Sequence, residues 1–151
     1  MSERRAFQRP SAVERLLNRA IGALVRLGLG PSHMRLLEVR GRKSGKRYAL
    51  PVDLLAERDR LYLVAPRGYT EWVRNAEASG QVTLRRGSQV AAYRVRPLSE
   101  SEKPAILKAY LDRFRREVQR YFPVEAGSPA EAFAPLAQRY PAFELLPAPA
   151  R

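Results

Sequence analysis

The feature that most constrains the fold is the stretch Leu36–Val52, LLEVRGRKSGKRYALPV, in which two apolar segments flank a basic turn bounded by glycines. Leu37 and Val39 alternate with charged residues before Gly41, and an apolar run resumes over Ala49–Val52. Alternation of apolar and polar residues with a period of two is typical of a half-buried strand. The stretch therefore predicts a β-hairpin with a charged tip.

The tip of this hairpin concentrates positive charge. It contains a hydroxyl and four cations, from Arg42, Lys43, Ser44, Lys46 and Arg47. Cationic side chains and the backbone N–H groups of a glycine-bounded turn can converge on one anion, so the turn predicts a phosphate-binding site. A solvated basic turn without a ligand is the alternative, and these residues alone do not decide between the two.

The turn matches neither of the common phosphate-binding motifs. A P-loop has four residues between its glycines and a Ser or Thr after its Lys, whereas three residues separate Gly41 from Gly45, and Arg47 follows Lys46. No G-x-G-x-x-G follows a predicted strand, so the dinucleotide-binding fingerprint is absent as well. Any anion site here has a different architecture.

The scarcity of Cys and His limits the chemistry. The 151 residues include no Cys, which excludes disulfides, thiolate catalysis and Cys-ligated metals and suits a reducing compartment, so we predict a cytoplasmic protein. A Ser-His-Asp triad or a zinc site would need the single histidine, His33, at its centre. Because His33 follows Pro31 and Ser32 in a linker, we expect it to be a surface residue, and we predict no metal site.

The excess of positive charge indicates a polyanionic partner. The chain has 28 Lys and Arg against 15 Asp and Glu, a net charge of +13, and residues 1–47 alone hold 12 basic and three acidic residues. An anionic cofactor, a membrane surface and a nucleic acid all fit this charge. Residues 1–47 contain one aromatic residue, Phe7, and no helix-turn-helix, RNP or zinc signature, so nucleic acid is the least favoured partner.

An amphipathic helix is predicted over residues 11–29, after a basic N-terminal segment, residues 1–10, that we expect to be flexible. Apolar residues recur at helical spacing, and Ser11 is a candidate N-cap. Packing against the chain's own domain is favoured, while peripheral contact with a membrane through helix 11–29 stays open because arginines occupy its other face. Arg19 and Arg26 interrupt the apolar run, so we predict neither a membrane-spanning segment nor a signal peptide.

The rest of the chain predicts strands joined mainly by hairpins. Strands are predicted at Val52–Ala56, Arg60–Ala65, Gln81–Arg86, Gln89–Pro97 and Ala142–Leu146. Helices are predicted at Glu71–Ser79, from a capping box of Ser99 and Glu102 to Tyr121, and at Ala130–Arg139. This order predicts an antiparallel barrel of the α+β class in one domain, residues 11–147, followed by a tail at residues 148–151.

Three blocks in the order GRKSGKRYALPV, YLVAPRG and EWVRNAEASGQVTLRRG resemble the deazaflavin-dependent nitroreductase family of split-barrel flavin-type oxidoreductases. The resemblance implies an α+β, FMN-binding-like split β-barrel, mostly antiparallel, with flanking helices. It also implies coenzyme F-420, an 8-hydroxy-5-deazaflavin with a phosphodiester and an oligoglutamate tail. The implied activity is hydride transfer from the reduced coenzyme to an electron-poor acceptor, such as a quinone, an enone or a nitro compound. Because this chemistry belongs to the coenzyme, no catalytic His or Cys is required.

The resemblance also implies a set of cofactor-binding residues, whereas no catalytic residue is identified. The family's G-R-K-[ST]-G motif falls on the turn and would hold the phosphate and the acidic tail, the next strand would pass under the ring, and the short helix would close the site. The set is Arg42, Lys43, Ser44, Gly45, Arg47, Leu50, Pro51, Val52, Ala65, Pro66, Arg67, Gly68, Trp72 and Asn75. Tyr69, Tyr110 and Tyr121 are candidates for the substrate side.

One departure from the family pattern affects this set. Where the family usually has Pro-Arg after the turn, this chain has Arg47-Tyr48, which displaces the arginine by one residue. A shift by one residue in a strand moves a side chain to the opposite face, so the side of the strand on which Arg47 lies stays open.

Several alternatives remain open from the sequence. FMN or FAD in the same barrel is the nearest rival cofactor, and a non-enzymatic carrier of a lipid or cofactor is a rival function. The chain could act as a monomer or a homodimer. The cofactor hypothesis requires a groove that leads from the cations of the turn toward Trp72.

Overall fold

The structure is a computed structural model that describes residues 12–148. The predicted flexible segment, the Ser11 N-cap and all but the first residue of the predicted tail lie outside this range. Seven strands are present: β1 Met34–Arg40, β2 Arg47–Asp53, β3 Leu55–Glu57, β4 Arg60–Val64, β5 Gln81–Arg86, β6 Gln89–Pro97 and β7 Ala142–Pro147. Three α-helices are present, α1 Ala12–Arg26, α2 Glu71–Ser79 and α3 Lys103–Val118, with 3₁₀ helices at Gln119–Tyr121 and Ala130–Leu136.

The strands form one antiparallel sheet that curls into a split barrel. Their order is β2-β1-β5-β6-β7-β4-β3, so β2 and β3 lie at opposite edges. Only Leu54 separates the end of β2 at Asp53 from the start of β3 at Leu55. One residue can join two edges only if the sheet bends round to bring them together. The predicted α+β split-barrel fold is thereby confirmed.

Most predicted elements are present, and three differ for identifiable reasons. The predicted strand Val52–Ala56 is divided at Leu54, where the chain passes from one sheet edge to the other. The long helix loses regular geometry at Phe114 (φ −115°, ψ 28°) and continues after Val118 as a 3₁₀ turn. The predicted helix Ala130–Arg139 is a 3₁₀ helix that ends at Leu136 and contains Pro135, which lacks the N–H that an α-helix interior requires.

Local sequence signals set two helix ends. Ser99 and Glu102 make the reciprocal contacts of a capping box: Oε1 of Glu102 accepts from the Ser99 N–H at 2.9 Å, and Oγ of Ser99 accepts from the Glu102 N–H at 3.3 Å. Helix α2 ends at Gly80, whose left-handed φ of 74° lets its N–H bond the Ala76 carbonyl. Both boundaries follow from residues close in sequence.

The two faces of the sheet cover two apolar cores. Leu63 of β4 lies in the core that α2 closes, together with Trp72 and Phe143, whereas its neighbours Tyr62 and Val64 lie in the core beneath α3. Alternate residues of a strand point to opposite faces, so one short strand contributes to both cores. The barrel therefore has helices packed on both of its surfaces.

Helix α1 lies over β1, β2 and β5 and contributes little to either core. Among its residues with described side chains, Gly22 and Val25 are the buried ones. Five leucines on and just after it are exposed: Leu16, Leu17, Leu24, Leu27 and Leu29. In residues 12–148, none of the helices is both long and apolar enough to cross a bilayer.

Candidate active site

A large open cavity lies between α1, the hairpin of β1 and β2, α2 and the C-terminal end of α3. Its volume is about 1110 Å³. The cavity brings together eleven of the fourteen predicted cofactor-binding residues: Arg42, Lys43, Ser44, Leu50, Pro51, Val52, Ala65, Pro66, Arg67, Trp72 and Asn75. The basic turn and Trp72 thus share one continuous space.

Two glycines give the basic turn its shape. The Gly41 N–H donates to the Lys46 carbonyl at 2.7 Å, and the Gly45 N–H donates to the Gly41 carbonyl at 2.9 Å. A Cβ at Gly41 would lie 2.6 Å from Cε2 of Tyr48, and Gly45 has a φ of 74°, which favours glycine. The glycines of the motif therefore fold the turn back on itself beside the cavity.

Helix α2 holds the turn through Asn75. This residue is 5% exposed, and its Oδ1 accepts hydrogen bonds from the Arg42 N–H at 3.0 Å and from Nη1 of Arg42 at 2.8 Å. The same Nη1 lies 2.7 Å from Oε2 of Glu71. Arg42 and Lys43 lower the pKa of Glu71, Arg42 chiefly through this hydrogen bond. Arg42 is thereby fixed at the cavity while an exposed carboxylate neutralises part of its charge.

Three predicted cofactor-binding residues do not line the cavity: Gly45, Arg47 and Gly68. Nη1 of Arg47 lies 3.3 Å from Oε1 of Glu38 on the opposite face of the hairpin, and Tyr48 lines the cavity instead. The predicted role of Arg47 in binding the cofactor is therefore not supported by its position, because its ion pair with Glu38 holds the guanidinium outside the cavity. Gly68, with a φ of 88°, closes a turn by donating its N–H to the Ala65 carbonyl at 3.1 Å.

Apolar groups form another part of the cavity wall. Leu50, Pro51 and Val52 come from β2, Val64 and Ala65 from β4, and Trp72 from α2. Trp72 is 9% exposed and packs against Phe143 with ring centroids 6.0 Å apart. A wall of this kind, next to a cluster of cations, suits a ligand with a planar apolar ring and an anionic tail.

Thr70 supplies a polar group with no partner at the edge of this wall. Its Oγ1 is buried, makes no hydrogen bond within the described residues, and belongs to a residue that lines the cavity. A buried hydroxyl without a partner is unfavourable, so a ligand group that bonded it would gain affinity. Together with the cations and the apolar wall, it fits a deazaflavin with ring oxygens and a phosphate-bearing chain.

The other end of the cavity is formed by α3 and the 3₁₀ turn after it. Two of the candidate substrate-side tyrosines, Tyr110 and Tyr121, line the cavity, whereas Tyr69 does not. The Tyr121 ring lies between two guanidinium groups, 5.6 Å from that of Arg67 and 4.8 Å from that of Arg120. This end is aromatic and cationic.

Sequence reasoning missed most residues of the α1 and α3 walls. They include Arg15, Leu17, Asn18, Ile21, Arg116, Glu117 and Arg120. The helical periodicity of α1 shows that it has an apolar face, but not that this face meets the hairpin. Tyr48 could have been found from the strand register, because it lies on the same face of β2 as Leu50 and Val52. Asp53 has the parity of Pro51, which was selected, and directly follows Val52.

His33 is not the isolated surface residue that its linker position predicts. Its side chain is 28% exposed; its Nε2 lies 3.2 Å from Oδ1 of Asp53, and its ring centroid 4.7 Å from that of Phe114. The expectation was wrong because the Leu54 N–H donates to the His33 carbonyl at 2.9 Å, which brings the linker beside the end of β2. Burial raises the pKa of Asp53 to about 6, with His33 opposing the rise and Glu117 adding to it.

Comparison with known proteins assigns this fold to a family. The family model described as "F420H(2)-dependent quinone reductase" matches residues 12–123. No curated protein sequence matches the chain.

Solved structures with the same fold are distant in sequence. An F420-H2 dependent reductase is 20% identical, with 76% of this chain and 94% of that chain covered at a TM-score of 0.52. A structure described as a domain-swapped dimer is 20% identical, with 88% and 92% covered at a TM-score of 0.54. An FAD-binding protein from Mesorhizobium loti is 15% identical, with 93% and 91% covered at a TM-score of 0.51.

The family match spans most of the chain and agrees with the resemblance carried by the turn motif and the two blocks after it. The family match favours coenzyme F-420 over FMN or FAD, and an enzyme over a non-enzymatic carrier. The chain belongs to the F420H(2)-dependent quinone reductase family and is a deazaflavin-dependent oxidoreductase with a split-barrel fold, whose cofactor is coenzyme F-420.

Proposed function

We propose that this enzyme reduces a quinone, with enones and nitro compounds as the related acceptor classes, in the cavity between α1, the basic hairpin and α3. The observation that carries the proposal is the continuity of one cavity from Arg42 and Lys43, past an apolar wall, to the tyrosines of α3. An anionic coenzyme and a planar apolar acceptor could bind side by side in such a space.

The chain's own residues would bind and orient the coenzyme. Arg42, Lys43 and Ser44 would hold the phosphodiester and the acidic tail, since cations and hydroxyls make the strongest contacts with phosphate and carboxylate. Leu50, Pro51, Val52 and Trp72 would cover the ring and exclude water. When bound, the reduced coenzyme supplies the hydride, so these residues need to position it and protect it from solvent.

The acceptor would bind toward α3 and α1. Tyr110 and Tyr121 offer aromatic surface, and Leu17 and Ile21 of α1 add apolar surface at the same cavity. An acceptor in this position would lie next to the ring rather than next to the anionic tail. The apolar lining favours a quinone with a hydrocarbon ring system.

Helix α1 also gives a route by which an apolar acceptor could arrive. Leu16 is 70% exposed and Leu27 is 71% exposed. Exposed leucines beside arginines on a helix that borders the cavity support peripheral contact with an anionic membrane. Sedimentation with vesicles of anionic lipid should retain the wild type, and Leu16→Ser/Leu27→Ser should release it; equal binding by both would exclude this contact.

The fold likeness to a structure described as a domain-swapped dimer favours a homodimer over a monomer. Light scattering of the purified protein at micromolar concentration gives the molar mass directly. A mass near 17.1 kDa would reject the dimer.

The direct test of the site is a fluorescence titration with coenzyme F-420. Wild type should bind it, and Arg42→Ala/Lys43→Ala should weaken binding at least about 100-fold, because each cation held against an anionic group contributes about 1.5–3 kcal/mol. Arg94→Ala/Arg115→Ala is the matched control, since it removes the same charge from exposed residues outside the cavity. Equal weakening in both variants would show that net charge, and not this turn, holds the coenzyme.

The same titration with FMN and FAD checks the cofactor, and steady-state oxidation of the reduced coenzyme checks the acceptor. A panel of a naphthoquinone, a cyclic enone and a nitroaromatic compound should give the highest kcat/KM for the quinone. A higher kcat/KM for either of the others would overturn the quinone assignment while leaving the coenzyme site in place.

A further inference from the structure

Three titratable side chains that the proposed function leaves unused meet at one side of the cavity. Nε2 of His33 is 3.2 Å from Oδ1 of Asp53 and 3.5 Å from Oε1 of Glu117. Asp53 and Glu117 both line the cavity, and the three groups lie within 4.8 Å of one another. The imidazole therefore stands between two carboxyl groups at the edge of the substrate space.

The exposure of the three side chains rises from Asp53 through His33 to Glu117. Asp53 is 10% exposed, His33 28% and Glu117 40%. The Phe114 ring supports the imidazole at a centroid distance of 4.7 Å. Neither Nε2 of His33 nor Oδ1 of Asp53 makes an aligned hydrogen bond, so a small rotation of the imidazole could exchange a proton with either carboxyl group.

The reaction assigned to the family needs a proton as well as a hydride. Addition of a hydride to a quinone or an enone leaves negative charge on a carbonyl oxygen, and a positioned acid that protonates it typically accelerates such a step about 10²–10⁴-fold. Burial raises the pKa of Tyr110 well above its ordinary value, which makes that phenol a poor acid. The arginines of the cavity hold their protons too tightly to donate them.

We propose that Asp53 is the general acid of this enzyme and that His33 is the positioning residue that returns a proton to it. This inference rests on the proposed function, because it concerns the acceptor of the same cavity. The O–H bond of the Asp53 carboxyl group breaks as an O–H bond forms on the carbonyl oxygen of the acceptor. The hydride brings both electrons, and Asp53 recovers a proton from solvent through His33, so the protein is unchanged after turnover.

The surroundings of Asp53 keep part of it protonated near neutral pH. Burial is the main reason that its pKa rises to about 6; the charge of His33 opposes the rise, and that of Glu117 adds to it. The other charged or titratable groups that line this cavity come from the elements around it: Arg15 of α1, Arg42, Lys43 and Tyr48 of the hairpin, Arg67 after β4, Glu71 of α2, Tyr110 and Arg116 of α3, and Arg120 and Tyr121 of the 3₁₀ turn. An ordinary exposed Asp would be almost fully ionised at the same pH.

The first test compares wild type with Asp53→Asn, using menadione as the quinone. The variant should lower kcat at least about 100-fold, and it should lack the fall in kcat above about pH 6 that we expect of wild type. Its affinity for coenzyme F-420, from fluorescence, should stay within about threefold of wild type. If the variant keeps both the wild-type kcat and the fall in kcat at alkaline pH (the alkaline limb), Asp53 is not the general acid.

The second test needs neither coenzyme nor turnover. The ¹³C resonance of the Asp53 carboxyl carbon should titrate with a midpoint near pH 6 in wild type. His33→Gln should raise this midpoint and Glu117→Gln should lower it, and the alkaline limb of kcat should move in the same two directions. Titration midpoints that are unchanged in both variants would overturn the proposal that His33 and Glu117 act on Asp53. Failure of wild type to bind coenzyme F-420 would instead overturn the proposed function, which the fluorescence titration detects separately.

Discussion

Oδ1 of Asn75 accepts two hydrogen bonds from one residue, Arg42: the backbone N–H at 3.0 Å and Nη1 at 2.8 Å. The two residues are 33 positions apart, and the contact joins α2 to the basic turn. One buried amide therefore sets both the backbone position of the turn and the direction of its first arginine. The anion site depends on a residue that need not touch the anion.

Asn75→Ala should weaken both the fold and the coenzyme site. The Arg42 N–H would lose its partner, at a cost of about 1–3 kcal/mol in the free energy of unfolding, and the freed turn should bind coenzyme F-420 about tenfold more weakly. Urea denaturation and fluorescence titration measure the two effects. Unchanged affinity in a folded variant would show that Arg42 reaches the anion without help from Asn75.

Glu71→Gln should strengthen binding of the coenzyme. The Glu71 side chain is 73% exposed and competes with an incoming anion for Nη1 of Arg42, at 2.7 Å. Its removal should lower the Kd for coenzyme F-420 about two- to fivefold at low salt, with less effect at high salt because screening weakens exposed charges. Stability should change by less than about 0.5 kcal/mol, as is usual for an exposed ion pair. A higher Kd would mean that Glu71 holds Arg42 in its binding position.

The pH dependence of stability should report on Asp53. Its pKa rises from 3.8 to about 6 on folding, so the folded state binds the proton more tightly than the unfolded state. The resulting stability is fully present below about pH 4 and is lost as the pH rises through about 6.

Between pH 4 and pH 8, the free energy of unfolding of wild type should therefore fall by roughly 2–3 kcal/mol relative to that of Asp53→Asn. Urea denaturation at several pH values gives the difference, and Asp59→Asn, in an exposed turn, controls for the loss of an acidic residue. A constant difference across this range would contradict the raised pKa.

Arg96 should contribute strongly to stability through a buried carboxylate. Its Nη2 lies 2.8 Å from Oε1 of Glu144, which is 7% exposed, and 2.9 Å from Oε2 of Glu102. In Arg96→Met, the buried Glu144 carboxylate would keep one cationic neighbour, Arg60, at 3.7 Å. We expect the free energy of unfolding to fall by about 2–4 kcal/mol.

Arg96→Met/Glu144→Leu should recover most of that loss, because it removes the buried charge along with its partner. Thermal and urea denaturation of the three proteins test this pair of expectations. A double variant as unstable as the single one would assign the loss to packing rather than to the unpaired carboxylate.

Short-range patterns in the sequence determined the local structure. The end of α2 follows from Gly80, the hairpin of β5 and β6 from the Gly87-Ser88 pair between them, and the start of α3 from the Ser99 and Glu102 capping box. The glycines of the turn motif also determined how the tip of the hairpin folds back on itself. These features depend on groups a few residues apart, whose geometry the chain alone dictates.

Tertiary structure decided what those elements face. Closure of the barrel brings β2 and β3 to neighbouring edges, and tertiary packing carries His33 and Glu117 beside Asp53. No periodicity encodes these contacts, because each joins residues whose separation in the chain bears no relation to a helical or strand repeat. The sequence by itself determined a basic turn suited to an anion, whereas packing of α1 and α3 around the curled sheet decided that the turn opens onto an apolar cavity with an acid at its side.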